Sequence, residues 1–174
     1  TNAITFDAAS GDAQINVASG RHTISAPISL ADNTVVTVTP PGSNLSITGT
    51  LSAAAVNLTK AGAGSLTLNN LRAAGLSIDG GAVVIAPGGT PASTSLLGAL
   101  SIAGGATPTA KLDVNNNAAI LNYSGASPHG TVRQQVIATA HTVVVKVGTS
   151  VLARADGTLE PARMQGLAAQ IARL

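Results

Sequence analysis

Pairs of apolar residues separated by one small or polar residue recur through the first two thirds of the chain, and they restrict its folding more than any other feature. They are Leu45/Ile47, Val56/Leu58, Leu66/Leu68, Leu76/Ile78, Val83/Ile85, Leu100/Ile102 and Leu112/Val114. A period of two places both members of a pair on one face of a strand and leaves Ser, Thr or Asn on the other. Three of the strands share a core: Leu45-Ser46-Ile47, Leu76-Ser77-Ile78 and Leu100-Ser101-Ile102. Between Leu45 and Leu76 the step is about ten residues, the spacing of short strands joined by turns.

Turn signals fall between the strands: Pro40-Pro41-Gly42, Gly62-Ala63-Gly64, Asp79-Gly80-Gly81, Pro87-Gly88-Gly89 and Gly104-Gly105. No segment before about residue 130 shows helical periodicity. The side chains are small. Phe6 and Tyr123 are the only aromatic rings among 174 residues, so a thick core built on large side chains is not available. Thin, repetitive packing suits such a chain. Two architectures satisfy the pattern, a parallel β-helix and an antiparallel sandwich, and the small residues and asparagines favour the β-solenoid. The expected fold class is mainly β: a solenoid over residues 1–134, a junction at 135–141, and a strand–loop–helix appendage over 142–174.

Charge narrows the partners. Charged residues make up 9% of the chain, against about 25% in ordinary globular domains. Residues 1–133 carry five basic groups and five acidic ones, so the formal excess of +2 lies wholly in the last quarter. Without a basic cluster there is no phosphate-tracking surface, and no nucleic-acid partner is expected. The absence of cysteine excludes disulfides and thiolate metal sites. No apolar run is long enough for a transmembrane helix. Thr1 opens in mid-pattern, without a methionine or signal peptide, which reads as an internal or processed start.

Residues 58–68, LTKAGAGSLTL, resemble the short repeat of bacterial autotransporter-associated β-strand proteins, Leu-Thr-Lys-x-Gly-x-Gly-x-Leu-x-Leu. Residues 111–128, KLDVNNNAAILNYSGASP, are similar to the closing segment of such surface proteins. The resemblance spans roughly residues 1–134. It implies export to the bacterial cell surface, a β-solenoid passenger, and a structural or adhesive role with a surface ligand or self-stacking as its partner.

From Gln134 the pattern changes. VVVKV (143–147) is a nearly continuous apolar strand. Gly148-Thr149-Ser150 follows it, and then PARMQGLAAQIARL, where Met164, Leu167, Ala168, Ile171 and Leu174 share one helical face. Pro161 suits the first turn of that helix, with Thr158 as its cap. The stretches TVVVKVGTSVL (142–152) and DGTLEPARMQGLAAQIARL (156–174) resemble the first strand, loop and helix of the glutamate 5-kinases in the amino-acid kinase family. That resemblance implies a phosphate contact from Lys146, with Gly148, Thr149 and Ser150 forming the turn beside it. A lysine at a strand end and a glycine turn exposing N–H groups suit a phosphate. Because Lys146 precedes the glycine, this is not a Walker loop.

Phosphoryl transfer needs charge stabilisation from several sides, a metal and an aligned acceptor. The family's later substrate segments have no counterpart before Leu174, so ATP and magnesium would be needed only by a complete kinase. No catalytic residue and no resident cofactor are expected. Other motifs fall short. Asp113-Val114-Asn115-Asn116-Asn117 starts like a calcium loop, but Ala118 stands where glycine is required and Ser124 where glutamate is. An asparagine turn or ladder fits better. His22, His129 and His141 lack metal-ligand spacing. The leading expectation is therefore a non-catalytic, exported β-solenoid module with a kinase-like tail. The alternative is part of a cytoplasmic glutamate 5-kinase joined behind a surface-protein segment.

Overall fold

Period-two strands with one apolar face can bury it by winding into coils and stacking each coil on the last, and the chain takes that solution. The computed structural model describes residues 2–139, 158 and 160–171. It is mainly β, and its parallel sheets form a β-solenoid of about 5 turns. The first coil holds β1 (Ile4–Phe6), β2 (Ala13–Val17) and β3 (Arg21–Ile24). The second holds β4 (Ile28–Leu30), β5 (Thr34–Val38) and β6 (Asn44–Ile47). In the third, β7 (Leu51–Ala61) runs along two faces, with a register shift between Ala53 and Asn57, before β8 (Ser65–Leu68). Coil four has β9 (Arg72–Ile78) and β10 (Ala82–Ile85), and coil five has β11 (Ser95–Ile102) and β12 (Lys111–Asp113). A further strand, β13 (Ala119–Leu121), lies on β11.

Every strand pair among the described residues is parallel, which settles the choice between solenoid and sandwich. The apolar pairs of the sequence become ladders. Leu45, Leu66, Val83 and Leu112 are register partners in turn, and beside them run Ile47, Leu68 and Ile85. On the other sheet, Thr34, Leu58, Leu76 and Leu100 stack in a second column. The Leu-Ser-Ile cores of β9 and β11 lie directly on each other. Leu66, Leu68, Ile78, Val83 and Ile85 are all essentially inaccessible, so the interior is a thin column of Leu, Ile and Val.

Outward positions are tied coil to coil by small polar groups. Asn44 Nδ2 donates to Ser65 Oγ and Thr67 Oγ1, both at 2.9 Å, across the β6–β8 pair. At the corners, backbone takes over: Ala63 N–H donates to Thr39 C=O at 3.1 Å and Gly64 N–H to Val38 C=O at 2.9 Å. At some corner positions there is no room for a side chain. Gly81 has φ +66°, and a Cβ there would run into the Gly64 carbonyl oxygen of the coil below.

Among the described residues, two helices follow the coils. Helix α1 (His129–Thr139) begins inside the stretch read as solenoid and runs through most of the expected junction. Its start signal is Ser127-Pro128: Ser127 Oγ accepts from His129 N–H at 3.4 Å, and Val132 N–H donates to Pro128 C=O. Val132 and Gln135 meet Leu97, Ile102, Leu112 and Leu121 around an apolar cavity of about 340 Å³ at the end of the last coil. Helix α2 (Pro161–Ile171) is the helix expected from the sequence, and Pro161 opens it. Its first turn closes from Met164 N–H to Glu160 C=O at 3.1 Å, which places Glu160 rather than Thr158 at the N-cap position. The expected strand at 143–147 lies outside the described residues.

The corner geometry separates two glycine replacements. Gly42 also has positive φ (+80°), but a Cβ there meets nothing within 4 Å. Gly42→Ala therefore carries only the backbone term, about 1 kcal/mol, whereas Gly81→Ala adds a backbone collision and loses about 2–4 kcal/mol. Urea unfolding monitored by circular dichroism measures both; equal losses would contradict the close coil-to-coil contact at Gly81.

Candidate functional site

The residues singled out for phosphate, Lys146, Gly148, Thr149 and Ser150, lie outside the described residues, as does His141. The other candidates are placed. His22 sits at the β3 edge with its Nε2 2.8 Å from Ser19 C=O. Three aspartates accept hydrogen bonds within the fold: Asp32 Oδ2 from Ala8 N–H of the preceding coil at 2.8 Å, Asp79 Oδ1 from Ser77 Oγ at 2.7 Å, and Asp113 Oδ1 from Asn115 N–H at 3.0 Å. Among the described residues no three His, Asp or Glu side chains come close enough to hold a metal ion.

The asparagine run after β12 forms a stitched turn, as its composition suggested. Asn115 adopts φ 49°, a left-handed conformation that asparagine tolerates. Its Nδ2 donates to Ile85 C=O at 2.7 Å, and Asn117 Nδ2 donates to Ala86 C=O at 2.9 Å. Gly88 and Gly89 N–H donate to Asn116 and Asn117 Oδ1 at 3.1 and 2.9 Å. The carboxamides of Asn116 and Asn117 therefore face the backbone of the preceding coil. Beside them, Lys111 Nζ lies 2.8 Å from Asp113 Oδ2. The hydrogen bonds from Lys111 and Asn115 hold the Asp113 carboxyl below its ordinary value. Its contribution to stability is thus present above the unfolded-state value and lost as pH falls through the folded one. The pair is solvated enough for that contribution to be small.

The polar group that the sequence motif did not explain is Lys60. Its alternation with Leu58 turns it inward, and its register partners are Val36 and Ile78, so an ammonium occupies a position in an apolar ladder. The side chain is fully buried. Nζ donates to the carbonyls of Ala61 and Gly62 at 2.8 Å each and of Gly80 at 3.2 Å. Burial pushes its pKa down from the ordinary lysine value. Period two was the available signal: Leu58, Lys60, Leu66 and Leu68 are all inward positions.

Two surface features remain. A groove of about 450 Å³ is lined by Ala74, Gly98, Ala99, Leu100 and the exposed Tyr123. The apolar cavity under α1 carries Lys111 and Gln135 as its polar members. Among the described residues, every buried side-chain nitrogen and oxygen already has a partner, so the described interior holds no unsatisfied group waiting for a substrate. No described helix is long and apolar enough to cross a membrane. No family model, curated protein or solved structure matches the chain.

Because the asparagine carboxamides hold backbone, Asn117→Ala should lower stability by about 1–3 kcal/mol in denaturant unfolding. Calcium and chelator should leave the melting temperature of the parent chain unchanged. A calcium-dependent rise abolished by this substitution would restore the metal-loop reading.

Proposed function

We propose that the chain is a non-catalytic β-solenoid module of an exported, cell-surface bacterial protein, with a structural or adhesive role. One observation carries this reading. The eleven residues that resemble the autotransporter-associated repeat, 58–68, occupy a solenoid corner, and their Leu, Lys and Gly positions each have a packing role there. Leu58, Leu66 and Leu68 fill the interior, Lys60 caps the turn, and Gly62 and Gly64 admit the neighbouring coil. The repeat thus serves coil stacking, which is what an elongated surface module requires. The outer face is polar but weakly charged, which suits a surface ligand or self-stacking better than a nucleic acid.

A second reading rests on residues 142–152 and 156–174, whose likeness to glutamate 5-kinases gives Lys146 a role at a nucleotide phosphate. A single strand and helix do not complete a βαβ unit. In this account the segment has no activity of its own, and ATP, magnesium and the cytoplasm enter only with a complete kinase.

Antibodies raised against residues 1–128 should label intact source cells, and protease added outside should remove the signal. Antigen confined to the cytosol would overturn the surface reading. The same purified chain should show no glutamate-dependent ATP turnover. Turnover abolished by Lys146→Ala would establish the kinase reading instead.

A further inference from the structure

The ladder Ile15, Val36, Lys60, Ile78, Ile102 is apolar at every position but one. A lone lysine in such a column is unfavourable unless its charge is met. Among the described residues the lysine–carboxylate ion pair is Lys111–Asp113, on the surface, and no described carboxylate is paired with Lys60. Asp79, the nearest acidic residue in the chain, donates its N–H to Lys60 C=O at 2.9 Å and turns its carboxylate to Ser77 Oγ. The charge is met by three carbonyl oxygens, those of Ala61 and Gly62 in its own corner and of Gly80 in the next. An ammonium has three N–H donors, and each finds one acceptor.

The two corners are built around this contact. Gly62 takes φ +78°, where a Cβ would strike the Val38 carbonyl oxygen, and a Cβ on Gly80 would lie 3.2 Å from Gly62 O. Glycine backbone brought this close leaves carbonyls from two coils converging on one point. Oxygen dipoles arranged in this way form a cation site.

We propose that the Ala61, Gly62 and Gly80 carbonyls form an internal cation site, that the chain fills it with its own tethered ammonium at Lys60, and that a free primary alkylammonium ion takes the site once the side chain is shortened. The ammonium acts as a fixed ion joining the third and fourth coils at their corner. It differs from an ordinary buried lysine in that removing the charge strands carbonyl acceptors belonging to two separate turns.

Three measurements on the full chain test this. In the parent chain labelled with 15N-lysine, the Lys60 Nζ resonance at neutral pH should be that of a protonated, slowly exchanging ammonium. Lys111, which is largely exposed, should exchange fast. A neutral or rapidly exchanging Lys60 amine overturns the proposal. Lys60→Met keeps the stem but strands the three carbonyls, and should lower the melting temperature by roughly 10 °C. A melting temperature equal to that of the parent overturns the proposal too. Lys60→Ala leaves space for n-propylammonium, which should raise the variant's melting temperature in a saturable way, whereas 1-propanol should not. Equal rescue by both would mean that only volume is being filled, and no rescue by propylammonium would mean that there is no cation site. Should Lys60→Ala fail to fold, the resonance and the Lys60→Met comparison still decide.

Discussion

The structure depends on parallel hydrogen bonding between coils in a fixed register. Each inward side chain must lie on another inward side chain one coil away, because a slip of one residue would turn the whole apolar set to solvent. That single constraint explains the composition. A coil interior only a few side chains wide takes Leu, Ile and Val in columns and leaves little place for rings. The corners must let one backbone pass close over another, which is why Gly62, Gly64, Gly80 and Gly81 cluster where the third and fourth coils turn.

Lys60 shows how the same constraint handles charge. In a register-locked stack the side chain at position 60 cannot swing to the surface without moving its coil, so its charge is solvated from within by turn carbonyls. The chain has few charges, and this one lies in its most restrictive position. Polar satisfaction elsewhere follows the same rule: Asn44, Asn115 and Asn117 all reach across to a neighbouring coil rather than out to solvent.

Much of this was legible in the sequence, for physical reasons. Period-two pairs such as Leu66/Leu68 and Leu76/Ile78 dictate strands with one buried face, and the glycine-rich turns between strands dictate their ends. Parallel stacking was only a preference, because alternation is identical in a sandwich. Lys60 could be placed inward by its spacing from Leu58. Its acceptor on Gly80 lies twenty residues further on and appears only when the coils stack. Helix α1 was missed because HGTVRQQVIAT has no clear apolar stripe, although Ser127-Pro128 marked its start. The asparagine turn was anticipated, but not its attachment to residues 85–89 of the preceding coil. The candidate phosphate residues, Lys146 to Ser150, came from likeness to a family alone, and the described residues do not reach them.

The parallel register is open to crosslinking, because a chain without cysteine accepts a single engineered pair. Thr59 pairs with Ser77, and Ser77 with Ser101, on partly buried or exposed positions of β7, β9 and β11. Neighbouring strands lie about 4.8 Å apart and alternate ones about 9.6 Å, on either side of the reach of a disulfide. Under mild oxidation the Thr59→Cys/Ser77→Cys chain should close a disulfide while keeping its β spectrum, and the Thr59→Cys/Ser101→Cys chain should not. Closure of the second pair, or of neither, would contradict the stacked parallel coils on which the whole account rests.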